Sequence, residues 1–243
     1  MIGGRSAGDG ELRAPSLLLA PLRELRALRE PARRLLARRR LEPLPRGDGG
    51  PVVVVPGMHV GDWTTASLRR FLRRRGWDAR GWGLGFHGAD VTATLPRALA
   101  RVEAVARETG RPVALVGWSL GGLVAREIAR LRPDLVRAVV TLGTPVTGGA
   151  RFTIVAYPFR RRGWDLDQID ALLHAADRVP IRVPLTAIWS RADGVVAWRA
   201  CLDATTPGAA HVEVHSSHWG LGFDPDALAA IARALARAHP SQP

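Results

Sequence analysis

Three side chains far apart in the chain have the types and settings for nucleophilic chemistry. Ser119 lies in Gly117-Trp118-Ser119-Leu120-Gly121. The residues before it, Pro112-Val113-Ala114-Leu115-Val116, are almost wholly apolar, and Gly122-Leu123-Val124-Ala125-Arg126 follows. A strand, a glycine-flanked serine and a helix in series hold a hydroxyl at the carboxyl end of a buried strand. The turn is so tight that larger flanking side chains would clash. The first N–H groups of the helix point back at the same place, where they favour developing negative charge. A serine hydroxyl is a poor nucleophile at neutral pH. It needs a base within hydrogen-bond reach, and the base needs an acid to hold its tautomer.

Downstream, Ala187-Ile188-Trp189 ends a strand and Ser190-Arg191-Ala192-Asp193 follows, so Asp193 falls just past a strand end. Val212-Glu213-Val214-His215 reads as a further strand, followed by Ser216-Ser217-His218. Of the seven histidines, His218 alone occupies the loop after the last strand; His211 and His215 flank that strand, His174 and His239 lie elsewhere, and His87 follows Gly83 and Gly85 in a loop. Asp165, Asp167, Asp170 and Asp203 follow no strand directly and read as solvated cap or turn residues. The assignment is Ser119 as nucleophile, His218 as base and Asp193 as its orienting acid. A tetrahedral oxyanion needs N–H donors. Leu120, next to the serine, supplies one, and Met58 in Pro56-Gly57-Met58-His59 supplies the other, with Gly57 permitting the bend. His59 reads chiefly as support for that turn, with a substrate contact as the alternative.

The elements that must position these residues alternate. Strands are expected at 52–55, 77–82, 113–118, 136–142, 184–189 and 211–215, and helices at 64–75, 95–109, after Ser119 and at 226–238. The run Val52-Val53-Val54-Val55 has the pattern of a strand buried on both faces. Alternation of this kind predicts a mostly parallel central sheet with helices on both faces, and ligands bind at the carboxyl ends of such strands. Every candidate residue falls there. Residues 148–182 break the alternation and read as a small cap insertion within a domain spanning 51–240. Its Phe152 and Tyr157, with Trp118 and His59, are the expected substrate contacts.

Residues 1–46 read as an extension. Residues 1–11 are polar and glycine-rich, and Leu and Arg then alternate at helical spacing, with Leu18, Leu22 and Leu25 on one face. Pro21 and Pro31 open two short helices, about 22–30 and 31–40. Packing of these helices on the domain's flank is the favoured reading, and contact with an anionic membrane the alternative.

The 243 residues carry a formal net charge of +13, and all 35 basic residues are arginine. A genome rich in G and C accounts for that preference, and the arginines are spread along the chain with no nucleic-acid module, so nucleic acid is not an expected partner. The hydrophobic content of 47% and charged content of 23% describe an ordinary globular chain. One cysteine, Cys201, excludes an internal disulfide and fits a reducing, cytoplasmic setting. No apolar run approaches a spanning length, and acidic Asp9 and Glu11 precede Leu17-Leu18-Leu19 where a secretion signal would be basic. No metal site is expected: His211, Glu213 and His215 share a strand parity but have simpler readings as sheet residues. Gly81, Gly83, Gly85 and Gly88 lack the lysine and helix start of a phosphate loop.

The chain resembles the serine α/β-hydrolase superfamily, in particular its bacterial lipase- and esterase-like members. The resemblance rests on Val52-Val53-Val54-Val55-Pro56-Gly57, Gly117-Trp118-Ser119-Leu120-Gly121-Gly122, Thr141-Leu142-Gly143-Thr144-Pro145 and Ser190-Arg191-Ala192-Asp193-Gly194-Val195-Val196, with His218. The order serine, aspartate, histidine is that of the family. The resemblance implies an α/β-hydrolase fold and cleavage of small-molecule or lipid carboxylic esters through an acyl-serine, without a cofactor. Such lipases often carry His-Gly where this chain has Pro56-Gly57. Transfer of the acyl group to another acceptor, thioester cleavage, and a non-catalytic membrane-docking protein on the same fold are the alternatives.

Overall fold

The computed structural model describes residues 12–238 except 30, 31, 34, 35 and 38–40, and of Leu172 the backbone alone. The expectations for residues 1–11, for most of a helix over 31–40 and for His239 lie outside the described residues.

Six strands form one sheet: β1 (Pro51–Val55), β2 (Asp78–Gly81), β3 (Val113–Trp118), β4 (Val136–Leu142), β5 (Leu185–Trp189) and β6 (Ala210–Glu213). Their order is β2-β1-β3-β4-β5-β6, and every neighbouring pair is parallel. The valine run of β1 explains the architecture. Val52 and Val54 join one apolar cluster with α2 (Asp62–Arg74) and α7 (Pro225–Arg237), while Val53 and Val55 join a second with α3 (Val91–Thr109) and α4 (Leu120–Leu131). Successive strand side chains point to opposite faces, so four consecutive valines feed two cores and fix a helix layer on each side.

The chain passes from β1 to β2 on one flank and then returns to β3 on the other. This reversal opens a crevice at the carboxyl ends of β1 and β3, the place where sheets of this kind take ligands. The loop after β1 and Ser119 after β3 both lie there. Between β4 and β5 the insertion contributes a short 3-10 turn at Gly149–Phe152, then α5 (Ala156–Arg161) and α6 (Leu166–Asp177).

The extension begins with α1 (Ala20–Glu24), running into a 3-10 turn at Leu25–Arg29. The extension lies against the domain through Ala20, Glu24, Arg33 and Leu41 and not through the Leu18, Leu22 and Leu25 stripe. Ala20 is buried against the domain, while Leu18, Leu22 and Leu25 face solvent. The inward side of α1 is held by a carboxylate, Glu24, whose partners are described below. Among the described residues no helix is long and apolar enough to cross a membrane.

Candidate active site

Ser119 terminates β3 with φ +55° and ψ −121°, and α4 starts at the next residue. A positive φ on a residue with a Cβ is strained by about 1–3 kcal/mol and persists only where surrounding structure holds it. Here the Ser119 N–H donates to the Leu142 carbonyl at 2.8 Å and its own carbonyl accepts from Gly122. The side chain lines a cavity of about 420 Å³ together with Met58 and Leu120. Leu120 opens α4, so its N–H has no intrahelical acceptor. The turn after β1 presses on the same spot: a Cβ added at Gly57 would stand 3.5 Å from that of Ser119.

Asp193 and His218 meet at the next strand ends. His218 Nδ1 lies 2.7 Å from Asp193 Oδ2, both side chains being almost fully buried. A carboxylate only accepts, so Nδ1 carries the hydrogen, and in the neutral ring Nε2 holds the lone pair. The other carboxylate oxygen of Asp193 accepts from the N–H groups of Val195 and Val196, each at 2.8 Å, which fixes the acid on its own loop. Gly143, the residue after the Ser119 partner Leu142, passes directly beneath the pair. It has φ +55°, and a Cβ there would lie 2.9 Å from Nδ1 and 3.0 Å from Oδ2, so only glycine fits. The Asp193–His218 pair thus sits over the Gly143 backbone, one residue beyond the Leu142 carbonyl that holds the Ser119 N–H. Among the described residues the Ser119 hydroxyl makes no hydrogen bond to His218; such contacts are often loose until substrate binds.

Burial opposes charge on the His218 ring, but the charge and hydrogen bond of Asp193, with Glu24 adding, outweigh it and raise the pKa above the usual 6.5. The Trp118 indole N–H donates to the His218 carbonyl at 3.2 Å, anchoring the histidine loop.

A profile that models the alpha/beta hydrolase family matches residues 52–239. The chain belongs to the alpha/beta hydrolase family. Solved structures agree on the fold. A monoacylglycerol lipase from Paleococcus ferrophilus superposes with a TM-score of 0.58 at 16% identity, covering 81% of this chain and 97% of that one. A mature lipase from Bacillus licheniformis gives 0.63 at 17% identity, with 79% and 94% covered. The thioesterase domain of the curacin biosynthetic pathway gives 0.55 at 14% identity, with 79% and 93% covered.

In this alpha/beta hydrolase the cavity beside Ser119 is not lined by His59, Trp118, Phe152 or Tyr157. Trp118 points into the core against Phe223 and Trp219. Phe152 packs on Trp189, Val196 and Cys201 beside the cavity wall. Tyr157 is exposed beneath the Arg161 guanidinium. His59 stacks on Phe86. The insertion reaches the cavity through Phe159, Trp164, Ile169 and Leu173 instead.

Two residues near the site carried no local signal in the sequence. His87, fully buried, has Nδ1 2.8 Å from the Pro56 carbonyl, and its backbone bonds both Val60 and His59. It pins the 56–60 turn, the support expected of His59. Burial lowers its pKa, so it stays neutral. Glu24 reaches in from α1: Oε1 accepts from the N–H of Gly194 at 2.8 Å and of His218 at 3.0 Å, and Oε2 accepts from Trp219 at 2.9 Å. One carboxylate thereby ties the aspartate loop to the histidine loop. His211 accepts from the Asp203 N–H and Glu213 pairs with Arg191.

Proposed function

We propose that this alpha/beta hydrolase cleaves carboxylic esters through an acyl-serine at Ser119. What supports the reading is the buried Asp193–His218 pair, which in the neutral ring places the hydrogen on Nδ1 and the lone pair on Nε2, beside a half-buried Ser119 at the end of β3. In the first half-reaction Ser119 Oγ attacks the ester carbonyl carbon while His218 Nε2 takes its proton. The N–H groups of Leu120 and Met58 receive the oxyanion, each donor being worth about 3–4 kcal/mol in the transition state. The intermediate collapses, the C–O bond to the alcohol breaks, and His218 returns the proton to the departing oxygen. Water repeats the sequence and frees the acid.

The cavity supports an apolar acyl group. It follows α4 from Ser119 past Leu120 and Leu123 to Glu127, where Arg130 holds the Glu127 carboxylate. Eight residues of helix span about 12 Å, the length of roughly nine methylene groups. Acyl chains of medium length fill that space, and longer ones meet a charged wall.

A series of soluble p-nitrophenyl esters of graded chain length tests this. Turnover is expected to peak at about ten carbons, and Ser119→Ala is expected to reduce kcat at least about a thousandfold. A fluorophosphonate is expected to label the wild type at Ser119. Absence of both hydrolysis and labelling would remove the reading.

A further inference from the structure

The first helix of the extension turns its leucines outward. On α1 the residues aimed at the protein are Ala20, which is buried, and the carboxylate Glu24, both oxygens of which are taken by backbone N–H groups of the domain. The residues aimed at solvent are leucines: Leu17, Leu18, Leu19, Leu22, Leu25 and Leu28 are each at least 50% exposed, and Leu18 reaches 86%. Soluble chains expose single leucines routinely, but a contiguous apolar patch marks a surface that meets something else.

The charge around the patch says what it meets. Arg23, Arg26 and Arg29 are exposed among these leucines, and Glu24, the one carboxylate between residues 17 and 29, is turned inward. Among the described residues from 17 to 29 the exposed side chains are leucines, arginines and Pro21. A second copy of this chain would bring a like-charged patch onto it. An anionic bilayer satisfies both features, taking the leucines into the acyl boundary and pairing its headgroups with the arginines. Trp219, itself 44% exposed and bonded through its N–H to Glu24, extends the patch with a ring suited to that interface.

We propose that residues 17–29 form a docking surface for anionic lipid, and that Glu24 passes the seating of this surface to the Asp193 and His218 loops. The second half of the proposal rests on the reading of Ser119, Asp193 and His218 as the reacting groups; the first half does not. Because Glu24 bonds Gly194 and His218 directly, a shift of α1 on a membrane moves the backbone that aims the base.

The full chain is sedimented with vesicles of equal parts phosphatidylglycerol and phosphatidylcholine, and with vesicles of phosphatidylcholine alone. The wild type is expected to sediment at least about tenfold more with the anionic vesicles. Leu18→Gln/Leu22→Gln/Leu25→Gln, at positions already in solvent, is expected to keep its melting temperature and lose sedimentation. Glu24→Ala, which removes both acceptor oxygens, is expected to sediment like the wild type. Adding anionic vesicles is expected to change wild-type turnover of a soluble short-chain ester and to leave that of Glu24→Ala unchanged. Lipid docking is overturned by failure of the wild type to sediment, by equal sedimentation with both vesicles, by unimpaired sedimentation of the leucine variant, or by a wild-type dimer that this variant breaks. The link to the site is overturned if vesicles bind and turnover does not respond, or if Glu24→Ala responds as the wild type does. Absence of any ester turnover would defeat the proposed function and leave the sedimentation result standing.

Discussion

The His218 ring is buried where an isolated imidazolium would be costly, yet its pKa is raised. The charged groups facing it are Asp193 on the loop after β5 and Glu24 on α1, both negative. A general base must be unprotonated, so the acid limb of kcat/KM on a soluble ester is expected to have its midpoint above the ordinary histidine value of about 6.5. Asp193→Asn removes the nearer charge and the acceptor that fixes the tautomer. Its midpoint is expected to fall, with kcat reduced by about 10⁴. Glu24→Gln keeps the shape of the side chain but loses its charge, and its midpoint is expected to fall by less. A residue that only braced the loops would lower the rate without moving the midpoint. An unshifted profile in Glu24→Gln would therefore confine it to bracing.

At the scale of elements, the site depends on three chain segments meeting backbone against backbone. A Cβ at Gly117 would strike the Gly121 carbonyl and the Gly122 Cα, and one at Gly121 would strike the Val55 and Pro56 carbonyls. No flexible side chain is there to yield. Gly121→Ala is expected to push α4 off the end of β1 and cost about 1–3 kcal/mol, lowering Tm by several degrees. Gly57→Ala meets its nearest atom at 3.5 Å and is expected to melt close to the wild type. Equal melting of the two variants would contradict this packing. The elbow and the strands were legible in the sequence because their causes are local. Four valines in a row have one cheap solution, a strand covered on both faces, and glycine beside serine marks the turn. The start of α3 was less legible. Asp90 caps it through the Ala93 N–H, five residues before the first leucine of the periodic stripe. The cap aromatics show the limit of composition: Tyr157 and Phe159, two residues apart on one short helix, face opposite ways, and only Phe159 reaches the cavity. Glu24 was illegible, because its partners lie 170 to 195 positions away. Likewise the spacing of Leu18, Leu22 and Leu25 defined a stripe without saying which way it would face.

Over the whole molecule, one buried ionic network fastens the insertion to the domain, and none of it shows as a motif. Arg126, 1% exposed on α4, pairs with Asp203 before β6 and with Asp177 at the end of α6; Arg130 pairs with Asp177 and with Glu127 at the cavity's end. Burial opposes the Asp203 charge, but the Arg126 guanidinium and hydrogen bonds from Thr206 and Arg126 prevail and hold its carboxyl well below the usual range. Asp203→Asn strands much of the Arg126 charge and is expected to cost about 3–5 kcal/mol at pH 7. The sign of the pH dependence follows from the depressed pKa. The stabilisation from ionised Asp203 is complete above the unfolded value of about 3.9 and is lost as pH falls through the folded value. Asparagine has no such dependence. The stability gap between wild type and Asp203→Asn is thus expected to be widest near neutrality and to narrow below pH 4, measured by urea unfolding at pH 7 and pH 3. Replacing both partners with apolar residues, as in Arg126→Met/Asp203→Leu, removes the stranded charge and is expected to cost less than the single change. A gap that stayed constant with pH, or a double variant weaker than the single, would show that shape rather than charge holds α4, α6 and the β6 approach together.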